Sequence, residues 1–564
     1  MRKGRPVVQG GNRQAWGFFR ISGPFRAMLA IAMIAVGAGV HADTFVVTSS
    51  ADAGAGSLRQ ALLDANAMQD TGGEHCARHL ITFNIPGAGP HTIEPLSPLP
   101  KINIPLTLDG YSQPGSSENT LNVGSNAVMA IELDGSLAGN TDAFVVGAAV
   151  PGSPLCPGNS STFRGLVINR FAGAAISMGE EICPPDQFCN SGGVLIQGNY
   201  IGTDISGTQA RGNGFVLGRA ALVFGTSCIF NVVGDQPAEN GGPIDPLPQT
   251  RNVISGNGDD AILISSTSSN AAGGVAQGHT IRNNYIGLDA SGAAALPNGG
   301  RGVDLGLNSW ANRVYDNLIS ANLGDGVAVL DNQFPAGATL IIGNGIGIGA
   351  AGQPFGNGGH GVLISGLSTG VAIGSRWRIA PGAAAIANNG GAGVFVDDLA
   401  IVDAGNLSSS GNGGLAFDLA PAGVNPDDVG DGDVGPNELL NSPVIDSVMV
   451  GPNGVDGSIT GSLDAVPDST YEIHFFYNDA CDAGGFGGGQ TPYPLPGFVS
   501  VTTDAGGHAD FAREVQFLPT DKFLTAATRT FATTTEIPAL ITSEFSNCMP
   551  VTAGDPVFAN GFDP

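Results

Sequence analysis

Charge is scarce in this 564-residue chain: 13% of its residues are charged, and 22 Lys and Arg stand against 49 Asp and Glu. A surface so short of cations repels phosphate backbones and anionic lipid, which excludes nucleic acid as a partner. Polyanionic glycans are disfavoured on the same ground, unless calcium or a local arginine cluster mediates. Long apolar runs are scarce too. Past residue 42 nothing reaches the about 18 consecutive apolar residues of a membrane-spanning helix, so no transmembrane segment is expected in the mature chain.

What the chain has instead is glycine, 88 of them, with 36 prolines and a hydrophobic fraction of 42%. That fraction is too high for a disordered chain, which lacks the apolar surface to offset its ordering entropy. With few charges, the exterior must be covered by Ser, Thr, Asn and Gly, which suits a turn-rich all-β protein. Residues 1–42 read as an export signal. Arg2, Lys3, Arg5, Arg13, Arg20 and Arg26 form a basic region, "AMLAIAMIAVGAGV" follows, and "VHA" ends at Ala42 with small residues suited to cleavage. Removing it takes six basic and no acidic residues, leaving 16 against 49, or −33. The expected location is extracellular or on the cell surface of a bacterium. In that setting the seven cysteines (Cys76, Cys156, Cys183, Cys189, Cys228, Cys481 and Cys548) read first as disulfides. Cys481 with Cys548 is the leading pair, because both fall in one C-terminal unit. Cys183 with Cys189 and Cys156 with Cys228 are further options. His75-Cys76-x-x-His79 lacks the second cluster that would complete a four-ligand metal site, and reads as a polar loop.

Two stretches nearly repeat: "IQGNYIGTDISGTQARGNG" (196–214) and "IRNNYIGLDASGAAALPNGG" (281–300), with a worn third copy from Ile341. Short apolar triplets recur after glycine at Val303, Val327, Val362 and Val394, with gaps of 24, 35 and 32 residues. A unit of this length built of short strands and Gly-Asn turns signals a solenoid. The expected fold is all-β: a right-handed parallel β-helix in which each short strand pairs with its equivalents above and below. Asn199, Asn284 and Asn344 are expected at equivalent corners, stacked as amide ladders. Asp204 and Asp289 are expected to be turn residues.

A solenoid must cover its first open edge. "TFVVTSSADAGAGSLRQALLDANA" (44–67) supplies a strand and then a helix, with Ser57 and Gln60 as a capping-box signature and Leu58, Leu62 and Ala65 on one face. "GSLRQALLDANA" resembles the N-terminal CSLREA-type segment of exported bacterial β-helix proteins, with Gly56 where that name has cysteine. "ITFNIPGAGPHTIEPLSPLPKINIPLTLDGYSQPG" (81–115), "IELDGS" (131–136) and "GLVINRF" (165–171) are similar to that family as well, and the likeness extends over most of residues 44–550. The resemblance implies a pectin-lyase-like β-helix and no established activity.

The expected domains are a signal peptide (1–42), the β-helix with its cap (43–424), an acidic linker (425–443), a β-sandwich (444–551) and a tail (552–564). In the linker, Asp427, Asp428, Asp431 and Asp433 read either as a calcium-holding loop or as a solvated acidic turn. In the sandwich, Tyr471, Ile473, Phe475 and Tyr477 alternate onto one face, as do Val499, Val501 and Thr503. The tail "DPVFANGFDP" reads as a frayed end or a sorting signal.

Asn140-Thr141-Asp142, Asp259-Asp260, Gly359-His360-Gly361 and Arg376-Trp377-Arg378 follow the motif order of polygalacturonases. Cooperating carboxylates must lie within about 10 Å. The 117 residues between Asp142 and Asp259 suggest four or five coils, or about 20 Å. A lyase would need a cation and a base; Arg164, Arg251, Arg282, Arg301 and Arg313 are candidates, with Asp259 or Asp304 as calcium ligands. The sequence selects no catalytic constellation. Two readings stand: a non-catalytic surface or extracellular protein that binds polysaccharide or other surface proteins, and a polysaccharide lyase or glycoside hydrolase. Clustered Asp and Arg on adjacent coils would favour the enzyme.

Overall fold

The computed structural model describes residues 42–68, 77–147, 160–179, 191–226, 228–236, 245–266, 276–332, 338–374, 386–451, 453–482, 484–494, 497–516, 518–535 and 538–553. The proposed signal peptide up to residue 41 and the tail beyond Ala553 therefore lie outside the described residues, while Thr552–Ala553, placed in the tail by sequence, form a strand paired with Met449–Val450. So do Cys76, Cys156, Cys183, Cys189, His75 and Arg376-Trp377-Arg378.

Among the described residues, short strands stack into three long parallel sheets of 11, 10 and 9 strands. The chain visits them in turn, once per coil, as a right-handed parallel β-helix does. A four-stranded strip from Ser191–Gly192 to Ser309–Trp310 adds a local fourth side. The strands are two to five residues long, and none would be stable alone. Each gains its hydrogen bonds from the rungs on either side. The triplets of the sequence repeat stack in register in the third sheet: Val303–Leu305, Val327–Leu330, Val362–Ser365 and Val394–Val396. Their alternation puts Val303 and Leu305, Val327 and Val329, Val362 and Ile364 in one continuous core. Each such side chain contributes roughly 1.5–3 kcal/mol by leaving water.

Two asparagine ladders hold the corners. Asn199, Asn252, Asn284, Asn317 and Asn344 run between the first and second sheets, linked amide to amide at 2.8–3.1 Å. Asn213, Asn257, Asn298, Asn322, Asn357, Asn389 and Asn412 form the second ladder, between the second and third sheets. Each amide also bonds backbone groups of its neighbours, as Asn298 Nδ2 does to Ile254 O at 3.0 Å. The corners are thereby satisfied without water.

Both ends of the core are covered. Helix Leu58–Ala67 buries Leu58, Ala61, Leu62 and Ala65 against the first coils. Ser57 accepts from Gln60 N, but Gln60 turns its own amide to Asp64, so half of the capping box forms. At the other end the pairing becomes antiparallel from strand Val444–Val450 onward, apart from a short parallel pairing of Met449–Val450 with Thr552–Ala553, in two sheets packed on Ile445, Ile459, Ile473, Phe475, Phe511 and Leu524. Tyr471, Ile473 and Phe475 do share the face turned to that core. The opposite face gives Phe476, Ala527 and Phe545 to the β-helix core itself. Arg529 pairs with Asp403 at 2.7 Å, and Ala404 N donates to Thr542 at 3.0 Å. The sandwich closes the solenoid. Cys481 and Cys548 form a disulfide within it, with Cα atoms 5.7 Å apart.

Candidate functional site

The second asparagine ladder sets up a repeated hexad. Asn257-Gly-Asp-Asp-Ala-Ile, Asn298-Gly-Gly-Arg-Gly-Val, Asn322-Leu-Gly-Asp-Gly-Val, Asn357-Gly-Gly-His-Gly-Val and Asn389-Gly-Gly-Ala-Gly-Val occupy successive rungs. The first residue is the ladder amide and the last enters the core. The fifth is Ala261 in the first hexad and glycine in the other four, where space is tighter: a Cβ on Gly302 would lie 2.4 Å from Ile319 and 2.6 Å from Gly326 O. The fourth residue is free to vary, and backbone bonds from Ala261 to Arg301, Gly302 to Asp325 and Gly326 to His360 align it rung upon rung. Asp260, Arg301, Asp325 and His360 thus form one column, four consecutive rungs deep, spanning about 14 Å.

Beside it runs the outward row of the third sheet: Val223, Leu263, Asp304, Ala328, Leu363, Phe395 and Asp418, in register. The two columns meet at Arg301. Its guanidinium donates to Asp304 at 2.7 Å and to Asp325 at 3.2 Å, while its backbone N donates to Asp260 at 2.6 Å. Asp325 also accepts from His360 N at 2.8 Å. His360 Nδ1 accepts from Ala392 N at 3.0 Å, which leaves Nε2 to carry the proton of the neutral ring, and the ring stacks on Phe395 at 4.7 Å. At the other end Phe215, 68% exposed, lies over Gly258, just before Asp259.

Burial is the main reason that Asp260 is pushed up to about 6, with Asp304 and Asp259 adding repulsion. Asp304 is raised for the same first cause, against the pull of Arg301. Burial opposes the charge on Arg301, yet Asp304 and Asp325 hold it protonated. Asp304 Oδ1 is buried and has no hydrogen-bond partner. Between Phe215 and Phe395 the wall therefore gathers four carboxylates, Asp259, Asp260, Asp304 and Asp325, around the guanidinium of Arg301.

Scanned against protein-family models, the chain matches none, and a search of curated proteins finds no match either. Among solved structures it is similar to the A-module of Azotobacter vinelandii mannuronan C-5 epimerase AlgE4. That likeness covers 68% of this chain and 100% of the other at 12% identity, with a TM-score of 0.25. At such a score it supports no argument about chemistry; the stacked sheets alone establish the fold.

The remaining sequence candidates fall elsewhere. Arg164, Arg282 and Arg313 sit on strands of the first sheet, away from Arg301, so the five arginines do not share a face. Arg164 pairs with Glu118, and Arg282 with Asp316 at 2.8 Å. Arg251 is sealed under the carbonyls of Leu121, Asn122 and Gly124 and lies over the Tyr285 ring. Asp142 accepts from Ser177 at 2.7 Å and pairs with Arg219 at 3.4 Å. Its coil is three rungs from that of Asp260, not four or five, because the coils between carry long loops. The separation of about 14 Å still exceeds a shared glycosidic bond. Asp204 and Asp289 accept from the backbone four and five residues on, as turn residues do.

In the acidic loop, carboxylate oxygens of Asp428, Asp431 and Asp433 lie within 4.8 Å of one another. Asp427 instead accepts from Ser442 N at 2.8 Å. Burial is the main cause that lifts Asp431 to about 6, and it lines a cavity of about 400 Å³ with Asp433, Leu399, Ile401 and Tyr471. Oxygen ligands at this spacing suit calcium. Cys228 is a buried thiol.

Sequence reasoning had named Arg301, Asp259, Asp304 and His360 but not their meeting, and it missed Asp325, Phe215 and Phe395. Aligning the hexads on their asparagines would have put Asp260, Arg301, Asp325 and His360 in one column.

Proposed function

We propose that this chain is an exported protein of the bacterial surface or surroundings that binds polysaccharide along the outer wall of its third sheet. The observation that carries the reading is the double column from Phe215 to Phe395. Polar side chains that can bond sugar hydroxyls repeat at the rung spacing of about 4.8 Å, and a stacked aromatic pair stands ready for a sugar face. An extended chain of pyranoses advances by a comparable step, so successive sugars would meet successive rungs. Export rests on the basic and apolar segment before Ala42. Calcium at Asp428, Asp431 and Asp433 would be structural, remote in sequence from this wall.

One observation favours a second reading, hydrolysis. Asp260, lifted to about 6 by burial, lies beside Asp259 and Asp304, and a protonated and an ionised carboxyl side by side are the ingredients of general acid–base attack on a glycosidic bond. The lyase version loses support, because Arg301 is held protonated between two carboxylates and cannot serve as the base. The mature chain should be incubated with acidic, neutral and amino polysaccharides, scoring retention and new reducing ends together. Retention that Phe395→Ala weakens, without new ends, supports binding. New ends that Asp260→Asn abolishes would replace it with hydrolysis. No retention and no turnover on any glycan would sink both.

A further inference from the structure

The charge balance of the wall says which polysaccharide. We infer that the third-sheet wall takes glycans bearing protonated amino groups, such as N-deacetylated hexosamine chains, in preference to uronate or neutral chains. This deepens the glycan reading above and rests on it.

A uronate chain needs cations, and the guanidinium groups near this face are already engaged. Arg301 is shared between Asp304 and Asp325, and Arg219 pairs with Asp142. What the wall has left over is negative. Asp259, Asp260, Asp304 and Asp325 surround one guanidinium, and Asp304, 7% exposed, keeps an oxygen with no donor. Burial of these carboxyls raises Asp260 and Asp304, so bringing a cation to them would be favourable.

A metal ion is a poorer fit than a chain of amines. Among the described residues, only Asp428, Asp431 and Asp433 bring three carboxylates close enough to hold one ion. The wall's carboxylates are instead spread over rungs: Asp260, then Asp304 with Arg301, then Asp325. A ligand with its positive charges spaced along an extended backbone matches that spread. Phe215 at one end and the stacked His360 and Phe395 at the other add ring surfaces that a simple polyamine would not need.

The test uses the mature chain and calorimetry with glucosamine oligomers, their N-acetylated counterparts, glucose oligomers, uronate oligomers and polylysine. The amine-bearing oligomer should bind at least about tenfold more tightly than its acetylated twin, and lose most of that margin in high salt. Asp304→Asn should weaken it about tenfold, as should Asp259→Asn, which leaves the backbone bonds of the cluster intact. Phe215→Ala should weaken the oligomer and leave polylysine unchanged. Equal binding of the amine and acetylated oligomers would overturn the inference while leaving the glycan reading standing. Tighter binding of the uronate oligomer would do the same. Polylysine binding as tight as the oligomer, with no effect of Phe215→Ala, would reduce the site to bare charge and overturn it. No binding of any oligomer would remove the glycan reading as well.

Discussion

A single buried amide shows how much each corner depends on its neighbours. Asn298 Oδ1 accepts from Asn257 N and Nδ2, and its Nδ2 reaches Ile254 O and Asn322 Oδ1. Asn298→Ala would leave donors on Asn257 and an acceptor on Asn322 buried without partners, at about 3 kcal/mol by the cost of unsatisfied polar groups. Asn412 ends the same ladder and is half-exposed, so Asn412→Ala should cost about 1 kcal/mol, because water can replace the amide. Denaturant midpoints of the two variants check this; equal losses would mean the ladder does not act as a chain. The corner asparagines were legible in sequence because the repeat writes them at every turn. The meeting of Asp260, Arg301, Asp325 and His360 was not legible from motif order, since 100 residues separate the first from the last. Coil length varies too much for spacing alone to count rungs, as the distance from Asp142 to Asp260 shows. Only the ladder asparagine, read as a ruler, puts them in one column.

Among elements, the N-terminal cap tests the departure at position 56. Gly56 has φ +77, and a Cβ there would lie 2.3 Å from Thr48 Oγ1. A cysteine, which the CSLREA-type segment has at this place, therefore does not fit this chain. Gly56→Cys should lower stability by about 2 kcal/mol from the left-handed backbone and the clash together. Thr48→Ala in the same chain should restore only part of the loss, as read from the melting midpoint of the pair. The antiparallel unit depends on a different device. The disulfide spans 67 residues, and reducing it should cost about 4 kcal/mol on the loop-entropy estimate, seen as an earlier urea midpoint. The strand pattern of this unit was readable from alternation. Its second face was not, because Phe476 and Phe545 look in sequence like ordinary sandwich residues and only the fold shows them plugging the solenoid. At the acidic loop, the calcium reading predicts a higher melting midpoint with calcium than with chelator, and no difference for Asp431→Asn.

For the molecule as a whole, the junction between solenoid and sandwich makes stability depend on pH. Glu544, on the sandwich side, accepts from Leu419 N at 2.9 Å and from Asn425 N at 2.9 Å, tying the last strand of the third sheet to the chain that follows it. Burial is the leading cause that pushes this carboxyl up to about 7 from an ordinary 4.5. Asp260 and Asp431 are likewise raised to about 6, burial first. A carboxyl raised on folding binds its proton more tightly in the native chain, so between about pH 4 and 7 the native state holds more protons than the unfolded one. Stability should therefore rise as pH falls from about 7 toward 5, by up to about 1.4 kcal/mol for each unit of raised pKa. His279 works in the opposite direction. Burial lowers its pKa to about 3, so the unfolded chain takes its proton first below about 6.5 and stability is lost there. Burial also raises Asp235, Asp304, Asp418, Asp427 and Asp433, and lowers His474 as it does His279, so raised carboxyls outnumber lowered imidazoles. The midpoint should be higher near pH 5.5 than at pH 8, whereas most acidic proteins with ion-paired carboxylates lose stability on acidification. Glu544→Gln should flatten the rise between 5 and 7 without moving the limb below 5, because a neutral amide has no proton to bind. If thermal melts of this variant keep the full rise, the pH response belongs to the wall and the acidic loop rather than to the junction. Asp260→Asn and Asp431→Asn should then each reduce it, and Asp304→Asn with them.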